Sequence, residues 1–342
     1  MKKALKHIAR LSAAAALGLA ALVPAQAQTT NLEAAFDRAL GTDVREPASF
    51  NAVYNSGLES YVAQLADGAD GRIGVAALDL STGEQLSILG DQRFPMASTS
   101  KIAIAATFME GVEQGRWSLS SEFPLLIARR SAKYSSARAP VTRGKYLPAS
   151  ELIELMITRS SNTATDALLD AVGGPRAVNA WMRRAGIRDF ELTRDIATLV
   201  RDDGEFDPAT HIDRRDSATP RAMVELLSGL YQGRWLSASS RSVIIGAMER
   251  CRTGTRRIPA LLPSSALVAH KTGSLNNTSS DIGIIRAPDG RAIAVAIYVT
   301  GQGSRLNRES RIASIASAIY DGYTSPSRSD GRNWTRAEYG GN

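Results

Sequence analysis

The chain has 342 residues, 44% of them hydrophobic and 22% charged, and it carries a formal net charge of +7. This composition is typical of a soluble globular protein with a sizeable core, in one large domain or two ordinary ones. The basic residues are spread singly along the chain, which argues against a nucleic-acid partner.

The first 27 residues have the pattern of a secretory signal peptide. A basic start is followed by an apolar run from Leu11 to Val23 and by the small-x-small sequence Ala25-Gln26-Ala27. We expect cleavage after Ala27 and export to the periplasm. We expect no stable membrane anchor, because the apolar run is shorter than the roughly 20 residues that span a bilayer. Cleavage lowers the formal charge to +3, since it removes four basic residues and no acidic one.

The next part of the chain predicts a helix, a hairpin and a second helix. Residues 28–50 are interpreted as a leader. Ser81-Thr82-Gly83 separates two strand-like runs, and apolar residues recur at helical spacing after Ser98 as far as Gly115. The predicted elements are a helix over 51–65, strands over 72–80 and 84–90, and a helix over 98–115.

The remaining elements predict a mixed architecture. Residues of about 118–235 show mostly helical patterns, and the polar tail over 324–342 predicts disorder. Three strands over 266–274, 281–287 and 291–300 precede a closing helix over 307–323. Strands at both ends of the chain predict one antiparallel sheet built from N- and C-terminal segments, with an inserted all-helical subdomain and a substrate cleft between the two parts.

Few residues offer thiol or metal chemistry. Cys251 is the only cysteine, which excludes an internal disulfide, and no histidine or metal-ligand pattern lies near it in sequence. We interpret it as a buried, inert thiol. His211 and His270 are too few and too far apart for a histidine-based zinc site, so we expect neither a metal nor an organic cofactor.

The stretch FPMASTSKIAIAA places Ser98 three positions before Lys101, where a helical pattern begins. A serine at a helix start presents its backbone N–H and the positive end of the helix dipole to a developing oxyanion. A lysine one turn on can take the hydroxyl proton if burial or a neighbouring cation lowers its pKa. A capping serine followed by a lysine of a core helix fits the same stretch, so this motif alone leaves both interpretations open.

Two distant stretches favour catalysis. Ser160-Ser161-Asn162 lies at a break between predicted helices, and Lys271-Thr272-Gly273 lies on a predicted strand. In this order the three motifs resemble those of the penicillin-recognising serine hydrolases, and class A β-lactamases most of all. The resemblance covers about residues 50–323. It implies an α+β fold, an α/β sandwich of the β-lactamase/transpeptidase-like type, in a single monomeric catalytic domain over 51–323.

The resemblance also implies catalytic roles. Ser98 would be the acylated nucleophile, Lys101 its activator, and Ser160 the relay of a proton to the leaving nitrogen. Asn162 would hold the amide side chain of the substrate. The backbone N–H groups of Ser98 and Ser274 would form the oxyanion hole.

Substrate binding is implied for the strand that carries the third motif. Lys271 and Thr272 would bind the substrate carboxylate, and Gly273 would let the ligand approach a bare backbone. Arg257 falls where some family members keep an arginine that reaches the same carboxylate. A plain surface charge beside Arg256 is the alternative.

The chain departs from the family pattern in the middle motif and in one loop. The family has Ser-Asp-Asn where this chain has Ser161 at the centre, and we expect a local structural change without loss of chemistry. In the family's loop a Glu-x-x-x-Asn motif supplies the glutamate that activates the deacylating water. Between Asp195 and Asp216 the sequence has Glu205 as its single glutamate and no asparagine.

Residues 199–220 align with this loop without a gap, and the alignment places Arg201 and Asp216 in a salt bridge that joins the two ends of the loop, which we call its neck. In that register Asp203 takes the glutamate position and Asp207 the asparagine position. Aspartate is one methylene shorter, about 1.5 Å of reach. We therefore expect Asp203 to be a weaker base.

Together these features predict a periplasmic serine β-lactamase that acts on a β-lactam through a Ser98 acyl-enzyme. A D-alanyl-D-alanine carboxypeptidase or penicillin-binding protein, acting on cell-wall peptides with slow deacylation, remains open because the loop glutamate is missing. A non-catalytic β-lactam sensor is the second alternative. The presence of Lys101, Ser160 and Lys271 argues against the sensor.

Overall fold

A computed structural model of the chain describes residues 53–54, 56–68 and 70–325. The predicted signal peptide, the leader and the tail from residue 326 lie outside the described residues. Within the described ranges, no helix is both long and apolar enough to cross a membrane.

Six strands form the main sheet, in the order β1-β3-β2-β11-β10-β9. Their bounds are β1 (Val53–Tyr54), β2 (Ile73–Asp79), β3 (Glu84–Ile88), β9 (Leu267–Leu275), β10 (Thr278–Arg286) and β11 (Ala292–Thr300). β1 pairs with β3 in parallel, and the other neighbours are antiparallel. Since β2 pairs with β11, the predicted union of N- and C-terminal segments in one sheet is confirmed.

Helices cover both faces of this sheet. The nine described α-helices are α1 (Ser56–Leu65), α2 (Lys101–Glu113), α3 (Ala149–Thr158), α4 (Asn162–Val172), α5 (Pro175–Arg184), α6 (Ile196–Arg201), α7 (Pro220–Gln232), α8 (Ala238–Glu249) and α9 (Arg305–Thr324). α9 packs on α1, β10 and β11, whereas α7 packs on β2 and β11 from the other side. The α+β sandwich is therefore as predicted.

β11 shows why its sequence is apolar at every position. All nine of its residues are buried, because both faces of a central strand are covered. Its odd-numbered residues, such as Ile293 and Ile297, join the core cluster that includes residues of α1 and α9. Its even-numbered residues, such as Ala294 and Tyr298, join the larger core cluster on the side of the inserted helices. The period of two thus divides one strand between two cores.

The inserted region is not all-helical, contrary to the prediction. A hairpin of β5 (Glu122–Ala128) and β6 (Val141–Pro148) projects from it, and a small sheet pairs β4 (Phe94–Pro95) and β7 (Phe190–Glu191) with β8 (Ser217–Ala218). Most residues of β5 and β6 are exposed or half-buried, and a register shift interrupts their pairing. Neither strand therefore needs the alternation of apolar and polar residues on which the sequence prediction relied.

Candidate active site

Ser98 lies in a tight 3₁₀ turn, Ala97–Ser100, that leads directly into α2. Ala97 has a φ of 49°, a left-handed conformation that residues with a Cβ rarely adopt and that is often found at functional sites. β9 lies against this turn at Gly273, where an added Cβ would be 2.8 Å from the carbonyl oxygen of Met96. Gly273 therefore lets the strand lie close against the turn that carries Ser98.

Lys101 is completely buried and points at the middle motif. Its Nζ donates to the backbone carbonyl of Ser160 at 2.8 Å, to the hydroxyl of Ser160 at 3.2 Å and to Oδ1 of Asn162 at 2.9 Å. Burial first, and then the charge of Lys271, hold the pKa of Lys101 well below its ordinary value. A lowered pKa favours the neutral form of the lysine, which is the form that can accept a proton.

Lys271 approaches Ser160 from β9. Its Nζ donates to the Ser160 hydroxyl at 3.0 Å and to the carbonyl of Thr272 at 2.8 Å. Burial lowers the pKa of Lys271 to about 8, and the charge of Arg257 acts in the same direction. Because Ser160 Oγ accepts from two lysines, its own proton is free to point into the cleft.

The two distant motifs are therefore joined at Ser160, which has a φ of 57°. The following residue, Ser161, takes no part in this junction. Its hydroxyl accepts a hydrogen bond from the N–H of Ala164 at 3.3 Å and caps α4. A serine can cap a helix as well as an aspartate does, so the helix start survives the departure from Ser-Asp-Asn.

Arg257 is buried, so the alternative of a plain surface charge is wrong. Its guanidinium donates to the carbonyls of Gly273 and Ser280, both at 2.8 Å, and to the hydroxyl of Ser274 at 2.7 Å. Glu309 on α9 supplies the counter-charge at 3.1 Å. Arg257 thus ties β9 to β10 and orients Ser274 at the edge of the site.

The neck of the loop is closed by a different arginine from the one predicted. Asp216 pairs with Arg194 at 2.6 Å and also accepts from the backbone N–H of Thr193. Arg201 instead pairs with its neighbour Asp202 at 2.8 Å. Asp216 is fully enclosed, and a buried carboxylate needs a partner that reaches it inside the protein.

This correction moves the register of the loop. Counted from Arg194 with the same spacing, the glutamate and asparagine positions fall on Ile196 and Val200. The two carboxylate oxygens of Asp203, each at 2.9 Å, share the backbone N–H of Asn276 in the turn after β9 as a bifurcated hydrogen bond. The salt bridge between Arg201 and Asp216 on which the first alignment rested is therefore not formed, and Asp203 fastens the loop to the sheet.

Asp166 is a buried carboxyl group that the sequence reading missed. Its two oxygens accept from the backbone N–H groups of Ile196 at 2.7 Å and Ala197 at 2.9 Å, so it fixes the start of α6. Burial raises the pKa of Asp166 to about 6, although these hydrogen bonds and the charge of Lys101 lower it. Its position one helical turn after Asn162 was the available signal.

A cleft of about 600 Å³ lies between the β5–β6 hairpin, α4 and α6, and Asn162, Asp166 and Ile196 are among its lining residues. Asn162 connects this cleft to the lysine cluster, because its Oδ1 accepts from Lys101, and the Ser160 hydroxyl lies between Lys101 and Lys271. Lys101 begins the helix that directly follows the turn carrying Ser98. This arrangement suits acyl transfer, in which a serine attacks a carbonyl and a second group protonates the leaving atom.

Comparisons with known proteins agree with this chemistry. The model of the β-lactamase enzyme family matches residues 57–323. The chain is 28% identical to the extended-spectrum β-lactamase PER-1 of Pseudomonas aeruginosa, covering 77% of this chain and 86% of that protein. It is 31% identical to β-lactamase CTX-M-8 of Citrobacter amalonaticus, covering 78% and 89%. A mutant of PBP-A, solved as its acyl-enzyme complex with penicillin G, is 26% identical with a TM-score of 0.67, covering 79% and 97%.

Proposed function

Because the chain belongs to the β-lactamase enzyme family, we propose that it is a serine β-lactamase that hydrolyses the β-lactam amide through an acyl-enzyme on Ser98. The observation that carries the proposal is the Ser160 hydroxyl, which lies 3.2 Å from Nζ of Lys101 and 3.0 Å from Nζ of Lys271. We propose a monomeric enzyme without a cofactor.

Acylation begins at Ser98. Neutral Lys101 takes the hydroxyl proton as the serine oxygen attacks the carbonyl carbon of the lactam. The backbone N–H groups of Ser98 and Ser274 stabilise the negative charge on the carbonyl oxygen. Collapse of the tetrahedral intermediate breaks the C–N bond, and Ser160 passes a proton to the nitrogen while Lys101 replenishes it.

Substrate binding depends on the positive charge and the hydroxyl that β9 carries at Lys271 and Thr272. Lys271 and the Thr272 hydroxyl bind the carboxylate of the substrate, and Asn162 binds its amide side chain. Arg257 acts behind them, because it holds the Ser274 hydroxyl at 2.7 Å and contributes positive charge near Lys271. An anionic substrate is therefore favoured over a neutral one.

A penicillin-binding protein with slow deacylation is the second candidate, and the corrected loop register favours it. Ile196 and Val200 occupy the positions of the water-activating motif, and neither side chain can take a proton from water. Asp203 is held on the β9–β10 turn. The similarity to PBP-A fits this candidate as well. The substrate of a penicillin-binding protein of this kind would be a D-alanyl-D-alanine peptide.

The two candidates differ in how the acyl-enzyme ends. Purified protein is mixed with a chromogenic cephalosporin, while product and intact mass are followed together. Sustained turnover with a transient adduct supports the β-lactamase. A stoichiometric burst with a persistent adduct refutes it, and release of D-alanine from a model peptide then distinguishes a peptidase from a sensor.

Variants test the nucleophile in the same assay. Ser98→Ala should form no adduct, whereas Ser120→Ala, which changes an exposed serine after α2, should behave as wild type. An adduct on the Ser98→Ala protein would overturn the assignment.

We also propose that the protein is exported to the periplasm after cleavage behind Ala27. The basic start, the apolar run and the small-x-small sequence support this. Intact mass of protein from a periplasmic extract tests it, and protein that retains its first 27 residues would contradict it.

A further inference from the structure

Positive charge is concentrated on the β5–β6 hairpin. Residues 122–148 hold six basic residues and one acidic residue, a net charge of +5. Since the chain cleaved behind Ala27 has a formal charge of +3, the rest of that chain carries −2. All six basic residues are exposed, and Arg138 is the only one among them that pairs with an acid of the described residues, Asp195. The hairpin therefore presents an excess of positive charge to solvent and to the cleft beside it.

Three of these basic residues line the cleft of about 600 Å³. Arg129, Arg130 and Lys133 follow β5 directly, and we call them the hairpin cations. Arg201 also lines the cleft, but its charge is balanced by Asp202 at 2.8 Å. The hairpin cations have no such counter-charge in the described part of the chain. They are therefore available to an anion that enters the cleft.

The cleft itself supplies little negative charge to the hairpin cations. Among the described residues that line it, Asp166 is the single acid. Asp166 is buried, and its two oxygens already accept from the backbone N–H groups of Ile196 and Ala197. A carboxylate that is held inside the protein in this way does not pair with exposed arginines at the rim. A counter-charge for the hairpin cations must come from a bound molecule.

The opposite wall of the cleft is apolar. Leu126 on β5 and Ile196 and Val200 on α6 are among its lining residues. A volume of about 600 Å³ is ordinary for a small-molecule site, in which apolar walls bury the hydrocarbon part of a ligand and a few polar groups fix its orientation. The cleft therefore suits a group that has an apolar body and a carboxylate.

Asn162 places this cleft next to the reacting centre. It lines the cleft, and its Oδ1 accepts from Lys101 at 2.9 Å. In the proposed function Asn162 binds the amide side chain of the substrate, so the substituent beyond that amide extends into the cleft. Lys271, which binds the first carboxylate, lies on β9 beyond Ser160 and does not line the cleft. The hairpin cations would therefore meet a second negative group.

We propose that the hairpin cations form a second anion subsite, which selects β-lactams that carry an additional carboxylate on the acyl side chain. The substrate class is thus a dianion, with one carboxylate at Lys271 and one at the hairpin. This selection rests on the proposed function, whereas the affinity of the hairpin cations for a small dicarboxylate does not.

Two penicillins that differ in one carboxylate test the selection. One has a phenylmalonyl side chain and the other a phenylacetyl side chain, and the second-order rate constant of acylation is measured for each. We expect wild type to favour the phenylmalonyl compound about tenfold at low ionic strength, because each exposed ion pair contributes a factor of about two to five. The ratio should fall to about two or less in about 0.5 M salt. A ratio that does not change with salt would overturn the proposal.

Variants of equal charge separate the subsite from the net charge of the protein. Arg129→Gln/Arg130→Gln should lower the ratio at least about threefold. Arg143→Gln/Lys145→Gln removes the same charge from β6, outside the cleft, and should leave the ratio within about twofold of wild type. All four residues are exposed, so thermal unfolding should be unchanged. Equal losses in both variants, or no loss in the first, would overturn the proposal.

A titration with phenylmalonate is independent of acylation. Phenylacetate is the control, and the backbone N–H signals of residues 129–133 are followed by NMR. We expect phenylmalonate to reach half-saturation at a concentration about fivefold lower than phenylacetate, and Arg129→Gln/Arg130→Gln to remove this difference. If neither penicillin forms an adduct, the proposed function fails, while this titration still decides whether the subsite exists. Equal half-saturation in wild type would overturn the subsite.

Discussion

Replacing Asp166 with asparagine should change how the stability of the protein depends on pH. Asp166 is buried on α4 and accepts hydrogen bonds from the backbone N–H groups of Ile196 and Ala197. Burial raises its pKa to about 6, although the two hydrogen bonds oppose the change. Asparagine has nearly the same shape and does not titrate, so the comparison isolates the proton.

The sign follows from which state holds the proton more tightly. Between about pH 4, where an unfolded aspartate ionises, and the folded value of about 6, the folded protein keeps a proton that the unfolded chain has lost. The contribution of Asp166 to stability is therefore full below about pH 4 and falls as the pH rises through 6. A difference of about 2 pKa units corresponds to about 3 kcal/mol.

Urea unfolding of wild type and Asp166→Asn over this pH range gives the measurement. The free energy of unfolding of wild type minus that of the variant should fall by about 3 kcal/mol from acid to neutral pH. A constant offset of about 1 to 3 kcal/mol is expected as well, because the amide group leaves one buried N–H without an acceptor. Asp170→Asn, one turn along α4 and exposed, should show a flat difference. A flat or rising difference for Asp166→Asn would refute the reasoning.

Three further predictions concern the acyl-enzyme. Lys101→Arg should slow acylation of Ser98 at least about a hundredfold at pH 7, because arginine stays charged and cannot act as a base. Stopped-flow fluorescence measures the rate, and near-normal adduct formation would contradict this prediction. Ile196→Glu should shorten the lifetime of the adduct followed by intact mass, because it places a carboxylate in the cleft. Val141→Glu changes an exposed residue of β6 that does not line the cleft and should leave the lifetime unchanged; equal lifetimes for both variants would contradict the corrected loop register. Asp203→Asn should loosen the attachment of the loop, which is measured as faster hydrogen exchange at the backbone N–H of Asn276. It should not lengthen the lifetime of the adduct, and accumulation of adduct would support Asp203 as the base.

The spacing of Ser98 and Lys101 was interpretable from the sequence because it is local. Ser98 and Lys101 are three positions apart, so the start of one helix brings them to the same face. The apolar run of β11 identifies a central strand whatever the order of the strands. These patterns, together with the order of three motifs, were enough for the fold class and the family.

The loop register depends on a long-range choice. Arg194 and Arg201 both precede Asp216 by a distance in sequence that allows a salt bridge with it. Nothing in the neighbouring residues distinguishes the two arginines. Burial of Asp216 decides between them, since its carboxylate bonds Arg194 and the backbone of Thr193 inside the protein.

The contact between His270 and Asp281 was decided by the strand register. β9 and β10 pair antiparallel, which sets His270 beside Asp281. His270 and Asp281 lie 11 positions apart and belong to no common motif, so the chain order carried no sign of their contact. Periodicity and spacing report which face a side chain shares within one element, and only the packing of elements reports which charges meet.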